Sequence, residues 1–459
     1  MKALTAYTSI YFVGAGGIGM SALVRYCLAK GFMVAGYDRT RTTLTEALER
    51  EGARLFYDES AGLIPSSFRD PETTLVVYTP AVPDTHEGLA YFREQGFCVV
   101  KRAELLGLIT RESRGLCVAG THGKTTTSSM TAHILAQSAV GCSAFLGGIL
   151  KNYDSNLILS DRSDLVVIEA DEYDRSFHHL RPYMAVITAT DPDHLDIYGT
   201  YEAYLESFRH FTTLIRPDGV LIMKKGLSLR PEPVPGVRLY TYSLDDGGDF
   251  YARNIRMGGG KILFDWVYPE GVVADIDLGV PVRVNIENGV AAMALAWLNG
   301  VTPDEMRRAM KSFAGARRRF DYWIREGQTV LIDDYAHHPD EIKASLTSLR
   351  ALYPDKKISV IFQPHLYSRT HDFCDEFAES LSLADELILL DIYPAREKPI
   401  PGVTSQIIFD KVKCKKKELC SKEKLLETIK GRNFEVLITL GAGDIDRLLP
   451  AIKEEILAR

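Results

Sequence analysis

Residues 115–137 read GLCVAGTHGKTTTSSMTAHILAQ, and this stretch decides the fold. An apolar run, Leu116 to Ala119, enters the turn Gly120-Thr121-His122-Gly123-Lys124-Thr125, and the residues after that turn have the composition of a helix. Strand, glycine turn and helix in that order build a phosphate cradle. Glycines let successive N–H groups converge on an anion at the positive end of the new helix. A lysine neutralises terminal phosphates and a hydroxyl ligates Mg²⁺; Lys124 and Thr125 stand in those two places. The usual spacing has a further glycine where this chain has Val118, so the loop is a shortened form, G-x-x-G-K-T. Gly120, Thr121, His122, Gly123, Lys124, Thr125 and Thr126 are therefore the expected contacts of a nucleoside triphosphate.

A second glycine loop lies upstream. Ile10 to Val13 reads as a buried strand, followed by Gly14-Ala15-Gly16-Gly17-Ile18-Gly19 and a helical stretch from about Met20 to Lys30. The next strand, Met33 to Tyr37, ends at Asp38. In a dinucleotide site this pattern sets a pyrophosphate on a helix start and a ribose against the acid, so alone it suggests NAD and a dehydrogenase. The motif itself asks only for a diphosphate near glycine backbone, and a UDP-linked substrate satisfies it equally. After a predicted helix from Thr43 to Glu51, the strand Thr74 to Tyr78 runs into Thr79-Pro80-Ala81-Val82-Pro83. That loop shares the carboxyl edge where open α/β sheets bind ligands.

Beyond the phosphate loop, the strand Asp164 to Ile168 delivers Glu169-Ala170-Asp171-Glu172-Tyr173-Asp174. Acids directly after a buried strand are where a phosphate-loop enzyme keeps its Mg²⁺ ligand, and Glu169 is the first choice. Glu172 and Asp174 read equally as surface acids or as supports behind it. Another strand, Met184 to Thr188, leads to Asp191-Pro192-Asp193-His194-Leu195-Asp196, where His194 is a candidate to complete a metal site. A helix is expected over Tyr201 to Thr213, then a strand over Gly219 to Met223. From Gly226 to Pro281, Gly-rich turns and short alternating segments predict a small antiparallel addition, with Gly258-Gly259-Gly260 as a hairpin turn. A helix from near Val284 carries Asn285 and Asn288 on one face, either as caps or as readers of a base edge.

The last section opens at Arg317-Arg318-Arg319-Phe320-Asp321, a solvated cluster or the guanidinium that completes phosphoryl transfer. Strands Thr329 to Ile332, Lys357 to Phe362, Glu386 to Leu390 and Val436 to Leu440 end respectively in Asp333-Asp334-Tyr335-Ala336-His337-His338-Pro339, Gln363-Pro364-His365, Asp391 and Gly441-Ala442-Gly443-Asp444. With helical stretches between them, they predict a parallel α/β domain with its ligand edge on one side.

A chain of 459 residues is long enough for three domains, placed at about 1–108, 109–315 and 316–459. The expected fold is α/β throughout: an N-terminal Rossmann-like domain, a central phosphate-loop ATPase domain and a C-terminal Rossmann-like parallel domain. A net charge of −7 argues against nucleic acid, and the basic run Lys411 to Lys424 reads as a solvated surface. Seven cysteines without a C-x-x-C pair point to free thiols in a reducing compartment. No apolar stretch approaches a membrane span, and neither end reads as a targeting segment, so a cytoplasmic location is expected.

Taken together, GTHGKTTT at 120–127, EADEYD at 169–174, DPDHLD at 191–196, NIEN at 285–288, RRFD at 318–321 and DDYAHHP at 333–339 resemble the Mur ligases of peptidoglycan synthesis. GAGGIGMS at 14–21 and FQPHLYSRT at 362–370 look most like the members that act on UDP-N-acetylmuramate and L-alanine. The resemblance implies a UDP-sugar domain, a central ATPase and a mobile C-terminal domain, in a monomer or homodimer without nucleic-acid or membrane partners. It implies ATP-dependent amide synthesis: phosphoryl transfer to the lactyl carboxylate, then attack of the L-alanine amine on the acyl phosphate. By the family pattern Lys124 holds the β- and γ-phosphates, Thr125 and Glu169 share one Mg²⁺, and His194 holds a second. Asn285 and Asn288 face adenine, while Arg319 and Asp334 reach the nucleotide from the last domain. His337, His365 and Arg369 line the amino-acid side, with Lys124, Glu169, His194, Arg319 and His337 the catalytic set. Gly14 to Gly19, Asp38 and the loop with Thr79 and Ala81 take the UDP moiety. Leu366, Ala189 and Val284 stand where these ligases commonly have arginine, asparagine and histidine.

Overall fold

The computed structural model describes residues 2–325, 327–395 and 397–458. Its first sheet comprises β1 (Ser9–Val13), β2 (Met33–Tyr37), β3 (Arg54–Phe56), β4 (Thr74–Tyr78) and β5 (Cys98–Lys101), in the order β3-β2-β1-β4-β5. All its pairings are parallel. The order reverses at β1, so the loops after β1 and β4, which carry Gly14–Gly19 and Thr79, flank the crevice where such sheets bind ligands.

The second sheet contains β6 (Arg114–Ala119), β7 (Ser143–Leu150), β8 (Ser155–Ile158), β9 (Leu165–Glu169), β10 (Met184–Ile187), β11 (Val220–Lys224) and β12 (Arg238–Tyr242), ordered β12-β11-β10-β6-β9-β7-β8. Only the β7–β8 pair is antiparallel. Central β6 is wholly apolar at its end, Leu116 to Ala119 being fully buried, as a strand covered on both faces must be. Its neighbours β9 and β10 bring their own carboxyl ends, with Glu169 and Thr188, to either side of the phosphate loop. Where antiparallel turns are expected after Gly226, β12 instead extends this parallel sheet, and the addition begins only with β13 (Tyr251–Gly258), β14 (Lys261–Tyr268) and β15 (Gly271–Asp277). The connectors Gly259-Gly260 and Pro269-Glu270 are short enough to make these strands hairpins.

The last sheet holds β16 (Asp321–Ile324), β17 (Val330–Asp334), β18 (Ile358–Phe362), β19 (Glu386–Leu390), β20 (Lys416–Cys420) and β21 (Val436–Leu440), ordered β16-β17-β21-β18-β19-β20. It is parallel except for β16. Two features correct the expectation. Part of the basic run forms the edge strand β20, whose lysines keep another chain from adding to the sheet. And β17 continues through Asp333 and Asp334, both buried, instead of stopping before them.

The chain divides into two compact units. One runs up to Ala252 and adds Trp266–Val273 and Glu287–Ala309; the other takes Arg253–Asp265, Ala274–Ile286 and everything from Met310 on. Within the first unit a single apolar cluster runs from Leu4 through Ile10, Tyr26 and Leu105 to Phe145, Leu157 and Phe208, spanning both its large sheets. The helix Ile18–Ala29 packs on β7 and β8, with the Tyr26 and Phe145 rings 5.1 Å apart. The second unit has its own cluster around Leu331, Ile361, Ile388 and Leu437. Among the described residues no helix is long and apolar enough to cross a membrane.

Candidate active site

The phosphate loop is shaped by its glycines. Gly120 and Gly123 have φ of +139° and +83°, and a Cβ would lie 2.2 Å from Thr188 Oγ1 at the first and 2.7 Å from Asn288 Oδ1 at the second. Side chains are excluded on both counts. Thr188 accordingly donates to the carbonyls of His122 and Ala119, and Thr121 Oγ1 bonds the carbonyl of Asp191 and Tyr204 Oη, each at 2.9 Å. The helix Lys124–Ala136 starts at once, with no side-chain cap at Gly123 to compete for an anion at its first N–H groups.

Lys124 and Thr125 then meet the acids at and just after the end of β9. Thr125 Oγ1 donates to Glu169 Oε1 at 3.1 Å. Lys124 Nζ donates to the Gly120 carbonyl at 2.7 Å and to Glu172 Oε1 at 2.8 Å. Glu172, which the sequence left between surface and support, is completely buried; its Oε2 has no hydrogen-bond partner among the described residues. Burial pushes its carboxyl above the ordinary value against the pull of Lys124. His194 Nε2 lies 4.0 Å from the same carboxylate and 3.7 Å from Asp193 Oδ2. His194, Asp174 and Arg175 all have φ near +50°, left-handed backbone that non-glycine residues hold only where surrounding structure enforces it. No cluster of three His, Cys, Asp or Glu side chains at metal-binding spacing exists among the described residues.

The two asparagines are buried and engaged. Asn288 Oδ1 accepts the Thr127 hydroxyl at 3.2 Å, bracing the phosphate-loop helix, while Asn285 Nδ2 donates to the Val280 carbonyl at 3.2 Å.

In the first sheet, Gly14 has φ +89°, and a Cβ there would stand 2.4 Å from Thr79 Cγ2, so the two predicted loops touch. Asp38 Oδ2 accepts the Gly16 amide at 2.6 Å and Oδ1 accepts the Thr40 amide at 3.1 Å. Its carboxylate thus holds the glycine loop in shape. Ala15 is buried, Gly17 and Ile18 are exposed, and Ala81 is exposed at the same edge. Sequence reasoning missed Arg102, whose guanidinium lies against Gly19. The signal was the pair Lys101-Arg102 at the carboxyl end of β5, a basic edge beside the first glycine loop.

The second unit gathers the remaining candidates. His337 Nδ1 is 3.0 Å from the Tyr335 carbonyl and 3.4 Å from Glu341 Oε2, so Nδ1 carries the proton and Nε2 is left as an acceptor. The His337 and His365 rings are 6.2 Å apart, and Arg369 Nη1 is 3.4 Å from His365 Nδ1. Burial lowers the pKa of both imidazoles, with Arg369 adding to the effect. Arg319 is exposed, its guanidinium 5.5 Å over the Tyr335 ring. Asp334 is buried, accepts the Ser345 hydroxyl and is pushed up by burial. Its neighbour Asp333, pushed up by burial to about 7, accepts Thr439 Oγ1 at 2.6 Å and sits 3.5 Å from Arg318 Nε. Arg318 in turn clasps the Gly441 and Gly443 carbonyls.

Comparison with known proteins matches residues 9–114 to the Mur ligase family catalytic domain, 118–296 to the Mur ligase middle domain and 318–443 to the Mur ligase glutamate ligase domain. A UDP-N-acetylmuramate–L-alanine ligase of Parabacteroides distasonis is 63% identical over 447 residues, 97% of each chain. A ligase of the same name from Flavobacterium johnsoniae is 45% identical over 451 residues, 98% of each. The crystal structure of a UDP-N-acetylmuramate–alanine ligase from Thermotoga maritima matches with a TM-score of 0.79 at 27% identity, covering 98% of this chain and 99% of that one. A murein peptide ligase from Psychrobacter arcticus shares the fold, with a TM-score of 0.62 at 22% identity over 97% and 99% of the two chains. The motif order, the phosphate loop with its paired acids and these near full-length matches agree: the chain belongs to the Mur ligase family.

Proposed function

We propose that the chain joins L-alanine to the lactyl carboxylate of UDP-N-acetylmuramate, with ATP as the energy source, in cytoplasmic peptidoglycan biosynthesis. The observation that carries the reaction type is the phosphate loop, where Thr125 is already bonded to the acid that ends β9 and Lys124 to one just beyond it. The near full-length identity to ligases of that name supports the choice of substrates.

A carboxylate resists attack until one oxygen becomes a leaving group. In the proposed reaction its oxygen attacks the γ-phosphorus of ATP, ADP leaves, and an acyl phosphate results. The alanine amine then adds to the acyl carbon, and the tetrahedral adduct collapses to amide and inorganic phosphate. Lys124 exchanges Glu172 for phosphate oxygens and neutralises charge as it shifts between them. Arg319 supplies a further guanidinium. Thr125 Oγ1 and Glu169 offer hard oxygen donors beside the amide cradle, a set that suits Mg²⁺, which needs only one or two protein ligands and fills its shell with phosphate and water. Bound there, Mg²⁺ would offset the phosphate charge; a second ion beside His194 is part of the same reading. His337, kept neutral by burial with Nε2 open, takes the proton that the alanine ammonium must lose before it can attack. Arg369 pairs with the alanine carboxylate.

The test is phosphate release with ATP, Mg²⁺ and UDP-N-acetylmuramate, compared across L-alanine, glycine, L-serine and a murein tripeptide, with the sugar omitted as control. Release that requires both the sugar and L-alanine is expected. Release with the tripeptide alone would replace the reading by a peptide-recycling ligase, and NAD binding without release would return it to a dehydrogenase.

A further inference from the structure

The first glycine loop and the phosphate-loop acids lie on different sheets, yet one hairpin touches both. On β7, Gly147 lies against Glu169, where a Cβ would come within 2.3 Å of the carboxylate Oε2. The chain then turns through Asp154, at φ +50°, and returns as β8. There Asn156, 3% exposed, donates from Nδ2 to the carbonyl of Ile18 at 2.7 Å.

Ile18 is the last but one residue of the loop Gly14–Gly19 and the first of the helix that loop caps. Its carbonyl is already supplied locally by the Ser21 hydroxyl at 2.8 Å. The Asn156 bond is therefore not needed to satisfy a buried acceptor. It is also costly to place, because Asn156 is almost fully buried and the helix it reaches packs on the hairpin with Tyr26 against Phe145. A buried amide in such a place is worth little as net stability but fixes one relative placement of the elements it joins.

We propose that Asn156 is a positioning residue. It pins the glycine loop that takes the UDP moiety to the hairpin that walls Glu169, so that the loop's amides present one geometry to the diphosphate. This rests on the reading of Gly14–Gly19 as the UDP-sugar site. The bond acts on the substrate through Ile18, so its loss falls on UDP-sugar affinity and leaves ATP and L-alanine untouched.

The test uses the full-length enzyme with Asn156→Ala and Asn156→Asp. Asn156→Ala deletes the donor and is expected to raise the KM for UDP-N-acetylmuramate about fivefold, the worth of one hydrogen bond, with the KM for ATP and L-alanine unchanged. Asn156→Asp keeps the shape but sets a carboxylate against a carbonyl, and is expected to raise that KM tenfold or more at pH 8. Relative to wild type at each pH, it recovers as the pH falls and the protonated carboxyl regains a donor. A merely structural role would move neither the substrate selectivity nor the pH profile. Equal changes in all three KM values, no change in any, or identical pH profiles for both variants would overturn the proposal. Direct titration of UDP-N-acetylmuramate in the absence of ATP separates the two claims. If wild type does not bind it, the site reading fails; if wild type and both variants bind alike, only the role of Asn156 fails. Should either variant fold poorly, the same titration on Asn156→Ser, too short to reach Ile18, must still show weakened binding or the proposal falls.

Discussion

Lys124→Ala removes the lysine of the phosphate loop, and here it has a second effect. The lysine is the partner of Glu172, a carboxylate with no exposed side-chain surface and one oxygen without a hydrogen-bond partner among the described residues. Removing one partner of a buried pair leaves an uncompensated charge, typically at a cost of about 3–5 kcal/mol. Protonation caps that cost. Starting from an ordinary carboxyl value of 4.5, neutralising Glu172 at pH 7.5 takes three pH units at about 1.36 kcal/mol each, or about 4 kcal/mol. At pH 5.5 the same cap is only about 1.4 kcal/mol. In the variant, folded Glu172 holds its proton more tightly than the unfolded chain does. Stability is therefore greatest in acid and falls as pH rises from about 4.5 through the raised folded value. For the compact unit that holds both residues, about 280 residues at roughly 2.1 cal/mol/K of unfolding entropy each, a loss of about 4 kcal/mol lowers the melting temperature by roughly 7 °C. The assay is thermal melting of wild type, Lys124→Ala and Lys124→Ala/Glu172→Gln from pH 5.5 to 8. The single variant should melt well below wild type at pH 8 and close most of the gap at pH 5.5. The double variant should recover most of the stability at every pH while remaining without ATP turnover. A single variant as stable as wild type at pH 8, with no gain from Glu172→Gln, would refute the pairing as a stabilising one.

Three further outcomes are expected. Gly123→Ala, which places a methyl against Asn288 Oδ1 in left-handed backbone, should weaken ATP binding roughly tenfold or more in nucleotide titrations, with UDP-sugar binding intact. His194→Ala should raise the Mg²⁺ concentration needed for half-maximal phosphate release; an unchanged Mg²⁺ dependence would make this histidine structural. Because burial lowers the pKa of His337, the imidazole stays neutral to lower pH than a free one. The acid limb of kcat/KM for L-alanine should therefore fall below about 6.5, and Arg369→Ala, by removing a neighbouring cation, should move it upward.

The sites were legible because parallel sheets send every strand's carboxyl end to one edge, where a motif and its strand can be read together. β4, β19 and β21 and the helix Tyr201–Thr213 coincide with their sequence-based bounds for this reason: apolar runs meet abrupt polar or glycine stops. Apart from the Lys101-Arg102 pair, what escaped had no local signature. β20 is lysine-rich and pairs only on one side, so it lacks the apolar run of its neighbours. Asp333 and Asp334 looked like a loop because acids rarely end a buried strand, yet Thr439 and Ser345 hydroxyls make the burial tolerable. Glu172 could not be told from Asp174 by composition; only the reach of Lys124, far away in sequence, separates a buried counter-ion from a surface acid. Asp38 shows the converse, an acid at the right spacing whose carboxylate is spent on its own loop's amide.

The apolar cluster that runs from Leu4 to Leu229 has a practical meaning for how the chain can be cut. The sequence motifs break the chain ahead of β6 and the family matches break it within β6, inviting an excised sugar-binding fragment. Such a fragment would end in mid-core, leaving Tyr26, Leu105 and Ile109 wet where Phe145, Leu157 and Phe177 now cover them. The family-matched module and the compact packing unit are different objects in this protein, and a fragment that keeps its core covered has to follow the second.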